Sequence, residues 1–209
     1  MVVGFARMDG RVVGMVANQP RVRGGTIDID AADKAARFIR FCDCFNIPLM
    51  ILADVPGYMP GLEQEKKGII RHGAKMLYAF SEATVPKITC VVRKLYGGAI
   101  PAMCCHETGA DLMFAWPTAE FAMMGAEAAV NILYKKEIAE SPDPLNTRLE
   151  KIKDYQQAIL APYYSASKQY VDAIIRPADT RRWFIHALQL LREKKTEEVI
   201  LRKHGNIPL

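Results

Sequence analysis

Hydrophobic and polar residues follow two alternating patterns along the chain. Short apolar runs of strand length recur, and loops separate them from longer segments whose apolar residues repeat every three or four positions. The strands predicted from the short runs are 2–6, 12–17, 48–54, 88–92, 111–115 and 121–124. The helices predicted from the longer segments are 30–45, 63–83, 125–134, 147–160, 163–170 and 178–194. With no low-complexity segment and no visible boundary, residues 1–209 are predicted to form one α/β domain.

The first two strands are predicted to form a hairpin, because Asp9-Gly10 accepts the positive φ angles of a tight turn. A repeat follows. Ile47-Pro48 begins one buried strand and Val85-Pro86 begins the next, and each strand ends in a glycine-containing loop that opens a helix. Two such units in tandem predict a parallel sheet whose carboxyl ends present two loops to each other. We call residues 55–61 the facing loop and residues 96–99 the glycine turn.

The glycine turn, Tyr96-Gly97-Gly98-Ala99, is the most informative of these loops. It joins a predicted strand to a predicted helix that starts near Ile100-Pro101. The first amides of a helix have no partner within the helix, and the helix dipole adds partial positive charge there. The turn is therefore suited to an oxygen that carries negative charge, as in an oxyanion hole. The alternative is a closely packed structural turn.

Charge and hydropathy restrict the classes of partner. Of the 209 residues, 28 are Lys or Arg and 23 are Asp or Glu, and the basic clusters lie among acidic residues. This pattern is typical of solvated helix faces and disfavours nucleic-acid binding. The longest apolar stretches, such as 47–53, are far shorter than the roughly 20 residues that span a bilayer. The first seven residues lack the features of a secretion signal, so a cytoplasmic location is predicted.

Five cysteines, an odd number, lie mostly in apolar or helical surroundings, which favours reduced thiols over a disulfide framework. Cys104-Cys105-His106 and Cys42-Asp43-Cys44 lack the spacing of a structural zinc site, so no metal is predicted.

Side chains with obvious catalytic chemistry are scarce. The sequence contains neither a nucleophile elbow nor a phosphate-binding Walker loop. His72 is interpreted as a packed or surface residue of a helix, with a catalytic base as the alternative. Glu120 is interpreted as an ion-pair partner, again with a base as the alternative. Lys75 lacks the preceding Met of a biotinylation sequence and is rejected as a biotin acceptor. The remaining chemistry is stabilisation of an enolate or ureido anion by backbone amides.

Eight segments in order along the chain resemble the carboxyltransferase (beta) subunit of biotin-dependent acyl-CoA carboxylases of the propionyl-CoA and methylmalonyl-CoA type. The match is to the C-terminal half of that subunit. The segments are Gly4-Phe5-Ala6-Arg7, Ala17-Asn18-Gln19-Pro20, Ala36-Arg37-Phe38-Ile39-Arg40, Asp54-Val55-Pro56-Gly57-Tyr58, Arg71-His72-Gly73-Ala74-Lys75, Tyr96-Gly97-Gly98-Ala99, Ala115-Trp116-Pro117-Thr118-Ala119-Glu120 and Lys203-His204-Gly205-Asn206-Ile207-Pro208-Leu209.

The resemblance implies a crotonase-type fold, in which ββα units stack in a spiral. It also implies that this half holds the carboxybiotin side of the active site. The amides of Gly98 and Ala99 would bind the biotin ureido oxygen, and the amide of Tyr58 would complete the hole. Gly57 and Gly97 would bind the cofactor together with Gly98 and Ala99. The biotin anion would then take the α-proton of the acyl-CoA, which explains why no side-chain base is evident.

One departure from the family concerns the acyl pocket. Tyr commonly follows Gly-Gly-Ala in the family, then a residue that shapes the pocket, whereas this chain has Ile100 and Pro101. Pro in a first helical turn sacrifices no needed N–H, so the turn is expected to persist. Specificity is expected to come from shape, for a small or apolar acyl group. The residues predicted to line the substrate pocket are Ile100, Pro101, Pro117, Thr118 and Met124.

The resemblance also implies partners. These are an N-terminal carboxyltransferase half, which would hold the thioester, a biotin carboxyl carrier protein with its biotin carboxylase, and further copies in a homo-oligomer. Coenzyme A would enter as the thioester substrate. Alternatives left open are a methylmalonyl-CoA-type decarboxylase subunit that runs the reaction in reverse, a noncatalytic assembly half, and a stand-alone crotonase-type hydrolase or isomerase.

Overall fold

One seven-stranded sheet organises the chain in a computed structural model, which describes residues 1–194 and 208. The first two strands form the predicted hairpin, with positive φ at Asp9 (51°) and Gly10 (78°). The strands are β1 (Val2–Met8), β2 (Arg11–Ala17), β3 (Leu49–Val55), β4 (Lys87–Tyr96), β5 (Leu112–Ala115), β6 (Glu120–Ala122) and β7 (Ala173–Ile174).

The sheet has the order β1-β2-β3-β4-β5-β7, and β6 pairs with β4. Only the β1–β2 pair is antiparallel, and the other five pairs of strands are parallel within the described residues. The first part of β4 pairs with β5 and its last part, Lys94 to Tyr96, pairs with β6. The predicted parallel arrangement of the two tandem units is therefore confirmed, and β3 and β4 end side by side.

The helices cover both faces of this sheet. They are α1 (Ile29–Cys44), α2 (Leu62–Lys66), α3 (Ile69–Glu82), α4 (Ala99–Ala102), α5 (Ala126–Leu133), α6 (Lys135–Glu140), α7 (Pro144–Tyr155), α8 (Pro162–Ser167) and α9 (Thr180–Leu190).

The core is divided by the sheet because neighbouring residues of a strand point to opposite faces. Ile51, Ala53 and Val55 of β3 pack in one cluster with α1 and α3, whereas Met50 packs on the other face. Phe184 and neighbouring residues of α9 cover that second face. Both faces of β3 and β4 are thus buried, which fixes the position of the loops that follow these strands.

Several predicted boundaries are wrong for local reasons. The helix predicted at 63–83 is two helices, because Gly68 between them has a left-handed backbone (φ 84°). The helix predicted at 147–160 begins at Pro144, and its last turn, Gln156–Leu160, is π-helical. The helix predicted at 30–45 begins one residue earlier, at Ile29, because the Asp28 carboxylate caps it by accepting a hydrogen bond from Ala31 N–H at 2.8 Å.

The sequence patterns gave no indication of the short strand β7 or of α6 as a separate helix. The last predicted helix, 178–194, is α9 with three further residues of irregular turn before position 194. The family-like segment 203–209 lies outside the described residues except for Pro208.

Candidate functional site

The glycine turn follows directly on β4. Gly97 has a φ of 53°, and a Cβ atom added there would lie 3.0 Å from the carbonyl oxygen of Met123. Its N–H donates a hydrogen bond of 2.8 Å to the carbonyl of Ala122. Gly97 therefore meets a backbone requirement, because its left-handed conformation and the close approach to the 122–124 segment both disfavour a side chain. It anchors the turn to β6.

The next two amides are differently placed. The N–H of Ile100 donates to the carbonyl of Gly97 at 3.0 Å, so both ends of the turn are tied down. Between them, the N–H groups of Gly98 and Ala99 find no hydrogen-bond acceptor in residues 1–194. Gly98 itself is exposed and has ordinary helical angles, φ −62° and ψ −13°. The turn thus holds two adjacent donors in a fixed backbone, as predicted from its sequence.

The helix that opens at this turn is shorter than the sequence indicated. It begins at Ala99 and ends at Ala102, and Cys104 soon follows with a left-handed φ of 61°. One turn of helix sums few peptide dipoles, so the predicted dipole contribution at the glycine turn is wrong in its extent. The donors must act through their own N–H dipoles. Pro101, in the first turn, removes no hydrogen bond that the helix needs, as expected.

The facing loop lies against the glycine turn. Ile27 forms an isolated parallel bridge with Tyr58, in which Ile27 N–H donates to Gly57 O at 3.1 Å and Met59 N–H donates to Ile27 O at 2.8 Å. The N–H of Tyr58 takes no part in that bridge. A Cβ atom added at Gly98 would lie 3.5 Å from Cδ2 of the Tyr58 ring. The structure therefore brings Gly57, Tyr58, Gly97, Gly98 and Ala99 into one place at the carboxyl edge of β3 and β4.

The residues predicted to line the substrate pocket are more scattered. Ile100 and Pro101 are half-buried beside the turn, and exposed Met124 follows Met123, whose carbonyl touches Gly97. Thr118 donates from Oγ1 to the carbonyl of Val92 at 2.9 Å. Val92 precedes Tyr96 by four residues, about 13 Å along an extended strand. Thr118 and its exposed neighbour Pro117 are therefore placed beside an earlier part of β4.

Glu120 acts as a hydrogen-bond partner in this structure. Its carboxylate accepts a hydrogen bond from the hydroxyl of Tyr96, the residue that begins the glycine turn. Burial raises the pKa of Tyr96, and the hydrogen bond to Glu120 raises it further. The Tyr96 hydroxyl therefore stays protonated near neutral pH and donates steadily to Glu120. This contact favours the structural interpretation of Glu120 over a general base.

His72 also has a structural environment. Its Nδ1 lies 2.8 Å from a carboxylate oxygen of Asp33 on α1, and the ammonium group of Lys75 lies 3.1 Å from the other. Burial alone raises the pKa of Asp33, but the hydrogen bonds and charges of His72 and Lys75 outweigh it and hold that pKa below its ordinary value. These three residues tie α3 to α1. Lys75 is a member of this cluster, consistent with its rejection as a biotin acceptor.

Two charged residues near the site, Asp54 and Arg93, were not assigned a role from the sequence. Asp54, almost buried at the end of β3, accepts hydrogen bonds from Nε of Arg93 at 3.1 and 3.2 Å and from Lys94 N–H at 3.3 Å. The N–H of Asp54 donates to the side chain of Asn18. Asp54 therefore joins the last residues of β3 to β4 across the register shift that separates Ala53 from Val55. An acidic residue that ends a buried strand was the available signal.

The thiols are poorly suited to nucleophilic chemistry. All five cysteines are free, and burial raises the pKa of Cys90 and Cys104 to about 12 and that of Cys42 to about 11. Among the residues that the structure describes, no group of three His, Cys, Asp or Glu side chains is placed to hold a metal ion. None of the helices in residues 1–194 is long and apolar enough to cross a membrane.

Comparison with known proteins decides the family. The model of the carboxyl transferase domain matches residues 1–207. The chain belongs to the carboxyl transferase domain family. It is 56% identical over 208 residues to the methylmalonyl-CoA carboxyltransferase 12S subunit of Propionibacterium freudenreichii subsp. shermanii. It is 54% identical over 209 residues to the carboxyltransferase subunit of propionyl-CoA carboxylase from Haloferax mediterranei. Each alignment covers 100% of this chain and 40% of the relative.

The fold is shared with a solved member of the family. A crystal structure of transcarboxylase 12S, described as a hexamer with methylmalonyl-coenzyme A and methylmalonic acid bound, matches with a TM-score of 0.94 and 56% identity. The match covers 99% of this chain and 40% of that one. The predicted resemblance and the α/β, crotonase-type fold class are confirmed. The chain spans about two fifths of the length of these relatives.

Proposed function

We propose that this chain is the biotin-side half of an acyl-CoA carboxyltransferase, and that it transfers a carboxyl group between carboxybiotin and a short acyl-CoA of the propionyl-CoA or methylmalonyl-CoA type. One observation carries the proposal. Gly98 and Ala99 present two adjacent N–H groups, without an acceptor in residues 1–194, at the loop that the family resemblance assigns to biotin. The names of the relatives support the acyl class.

The donor set fits a ureido group. A ureido carbonyl needs hydrogen-bond donors and no metal, and it gains electron density at its oxygen when the carboxyl group leaves. Gly98 is exposed and carries no side chain, so an oxygen can approach its amide closely, whereas the next amide belongs to Ala99, which is buried. Gly57 offers similar open space across the site, since a Cβ atom added there would have no neighbour within 4 Å. Both loops therefore have an accessible glycine backbone, at Gly98 and at Gly57.

The chain contributes orientation and electrostatic stabilisation. Bound carboxybiotin would supply the carboxyl group, and the amides of Gly98 and Ala99 would hold its ureido oxygen. The N–H groups of Gly98 and Ala99 donate to this oxygen from a turn held by Gly97 and Ile100, so the protein need not reorganise during the reaction. Donors fixed in this way stabilise the transition state more than the ground state. The N–H of Tyr58 on the facing loop is a third donor.

Partners are part of the proposal, because this chain spans only 40% of its relatives. An N-terminal carboxyltransferase half would bind the thioester and complete the pocket around Ile100, Pro101, Pro117, Thr118 and Met124. A biotin carboxyl carrier protein would deliver carboxybiotin from a biotin carboxylase, and further copies would form a homo-oligomer. The reaction would take place in the cytoplasm. We call this chain together with an N-terminal half the assembled enzyme.

The test is carboxyl transfer by the assembled enzyme. With methylmalonyl-CoA and free biotin, we expect propionyl-CoA to form in a biotin-dependent manner, and much faster than with either half alone. The measurement is chromatographic separation of the acyl-CoA species over time. Calorimetry of this chain alone with coenzyme A provides the control and should detect no tight binding.

Two results would contradict the proposal, and a third would decide the direction of the reaction. A rate in the assembled enzyme that never exceeds that of the separate halves would support a noncatalytic assembly role. Tight binding of coenzyme A by this chain alone, with thioester hydrolysis or isomerisation, would support a stand-alone crotonase-type enzyme. Carboxyl release from methylmalonyl-CoA that proceeds without net carboxylation of propionyl-CoA would indicate the decarboxylase direction.

A further inference from the structure

Gly73 lies in the interior of α3, where glycine is an unfavourable choice. It is buried, and a Cβ atom added to it would lie 2.6 Å from Cε1 and 2.9 Å from Cζ of Tyr58. Contacts this short are not tolerated, so the phenol ring of Tyr58 occupies the space that a side chain at position 73 would need. Glycine at position 73 therefore leaves the space that the Tyr58 ring of the facing loop occupies.

The opposite edge of the same ring lies at the glycine turn. Cδ2 and Cε2 of Tyr58 would be 3.5 and 3.6 Å from a Cβ atom at Gly98, which is ordinary van der Waals distance. The hydroxyl of Tyr58 donates a hydrogen bond to the carbonyl of Gly73 at 3.1 Å. Burial raises the pKa of Tyr58 to about 12, so this donor remains protonated near neutral pH. One ring therefore spans from the backbone of α3 to Gly98.

The helix α3 is held by contacts on both sides of Gly73. Asp33 on α1 contacts His72 and Lys75, which flank Gly73 in α3. Ile69, Met76 and Phe80 bury the apolar face of α3 under the sheet. A side chain at position 73 would therefore displace the ring of Tyr58 and leave α3 in place. Displacement of the ring moves the backbone of Tyr58, the edge that supports Gly98, or both.

We propose that Gly73 is a positioning residue for carboxyl transfer: it seats the ring of Tyr58 at the depth that sets the spacing between the facing loop and the glycine turn. This inference rests on the proposed function of the amides of Gly98, Ala99 and Tyr58. The ligand concerned is the same ureido group, and Gly73 acts on that group only through Tyr58.

The experiment compares Gly73→Ala with wild type in the assembled enzyme. Because a misplacement of about 1 Å far from the chemistry can lower rates about 100-fold, kcat should fall about 10- to 100-fold, with the KM for methylmalonyl-CoA changed less than about twofold. Calorimetry should show weaker binding of free biotin, a readout that needs no turnover. Gly4→Ala is the control, since a Cβ atom at Gly4 meets nothing within 4 Å.

A second substitution separates positioning from general damage. Tyr58→Leu keeps the backbone N–H at position 58 and removes the ring atoms that a Cβ atom at position 73 would strike. In the Tyr58→Leu background, Gly73→Ala should change kcat and biotin affinity by less than about twofold, because residues in contact give non-additive effects.

Three results would overturn the inference. The first is an unchanged kcat for Gly73→Ala with a raised melting temperature, the usual effect of alanine inside a helix. The second is an equal fall in kcat and in biotin affinity on Gly73→Ala in the wild-type and Tyr58→Leu backgrounds. The third is a wild-type assembled enzyme that neither transfers the carboxyl group nor binds biotin, which removes the proposed function as well. If wild type binds biotin but does not transfer the carboxyl group, the proposed function alone fails. The role of Gly73 is then decided by the biotin affinities of wild type, the two single variants and the double variant.

Discussion

The substitution Gly98→Val is expected to reduce carboxyl transfer by the assembled enzyme at least about 100-fold, the scale of losing one oxyanion-hole donor. A Cβ atom at this position is already 3.5 Å from the ring of Tyr58, so the two methyl groups of valine must press on that ring or occupy the exposed space beside the turn. In either case the ureido oxygen loses its approach to the amides of Gly98 and Ala99. The measurement is kcat with methylmalonyl-CoA and free biotin.

Folding should survive this substitution. Gly98 is exposed and its φ of −62° suits any residue, so the free energy of unfolding should change by about 1 kcal/mol or less. Gly97→Ala is the matched control, with φ of 53° and a Cβ contact of 3.0 Å to Met123 O. It should destabilise the protein by about 1 to 2 kcal/mol. Unfolding of Gly98→Val under conditions where Gly97→Ala stays folded would favour a purely structural glycine turn.

The largest effect on stability is expected for Gly25→Ala. Gly25 is buried with a φ of 84°, and a Cβ atom there would lie 2.5 Å from the carbonyl oxygen of Asp54. The contacted atom is a backbone oxygen, so it cannot move away cheaply. The left-handed conformation should cost about 1 to 2 kcal/mol and overpacking about 1 to 3 kcal/mol. The free energy of unfolding should therefore fall by about 2 to 5 kcal/mol. The midpoint of urea unfolding measures it.

Gly24 supplies the control for this prediction. Its φ of 64° is also left-handed, but a Cβ atom there would meet nothing within 4 Å. Gly24→Ala should therefore lower the free energy of unfolding only by the cost of the left-handed backbone, about 1 to 2 kcal/mol. Equal midpoints for Gly24→Ala and Gly25→Ala would contradict the assigned contact with Asp54. The 23–27 segment also carries the Ile27 bridge to Tyr58, so carboxyl transfer should fall together with stability in Gly25→Ala.

Features of the fold that depend on neighbouring residues were predictable from the sequence. Asp9-Gly10 specifies its hairpin through two positive φ angles, and both occur. The strands β3 and β4 start directly after Ile47-Pro48 and Val85-Pro86, where proline marks the end of the preceding loop. The placement of the glycine turn and the facing loop at one edge then follows from the topology of a parallel sheet.

Features that depend on the backbone conformation of single residues, or on contacts between residues distant in the sequence, were not predictable. A single glycine is tolerated within a helical pattern, so only the left-handed backbone of Gly68 in the folded chain reveals the break between α2 and α3. The acidic residues near position 28 offer more than one cap, and the geometry selects Asp28. Gly73 was visible only as one small residue on an apolar face, because its partner Tyr58 is fifteen positions away and on a loop. The short helix after the glycine turn likewise depends on the backbone of Cys104.

The most direct test of the account removes a single N–H group. Replacing the amide at position 99 by an ester, through incorporation of lactic acid for Ala99 in the assembled enzyme, deletes one donor and leaves the side chain unchanged. We expect kcat for carboxyl transfer to free biotin to fall about 100- to 1,000-fold with little change in melting temperature. The matched ester at Gly97 removes the N–H that donates to Ala122 and should lower the melting temperature instead. A kcat equal to wild type in the ester at position 99 would contradict the assignment of the glycine turn as the donor site for the ureido oxygen.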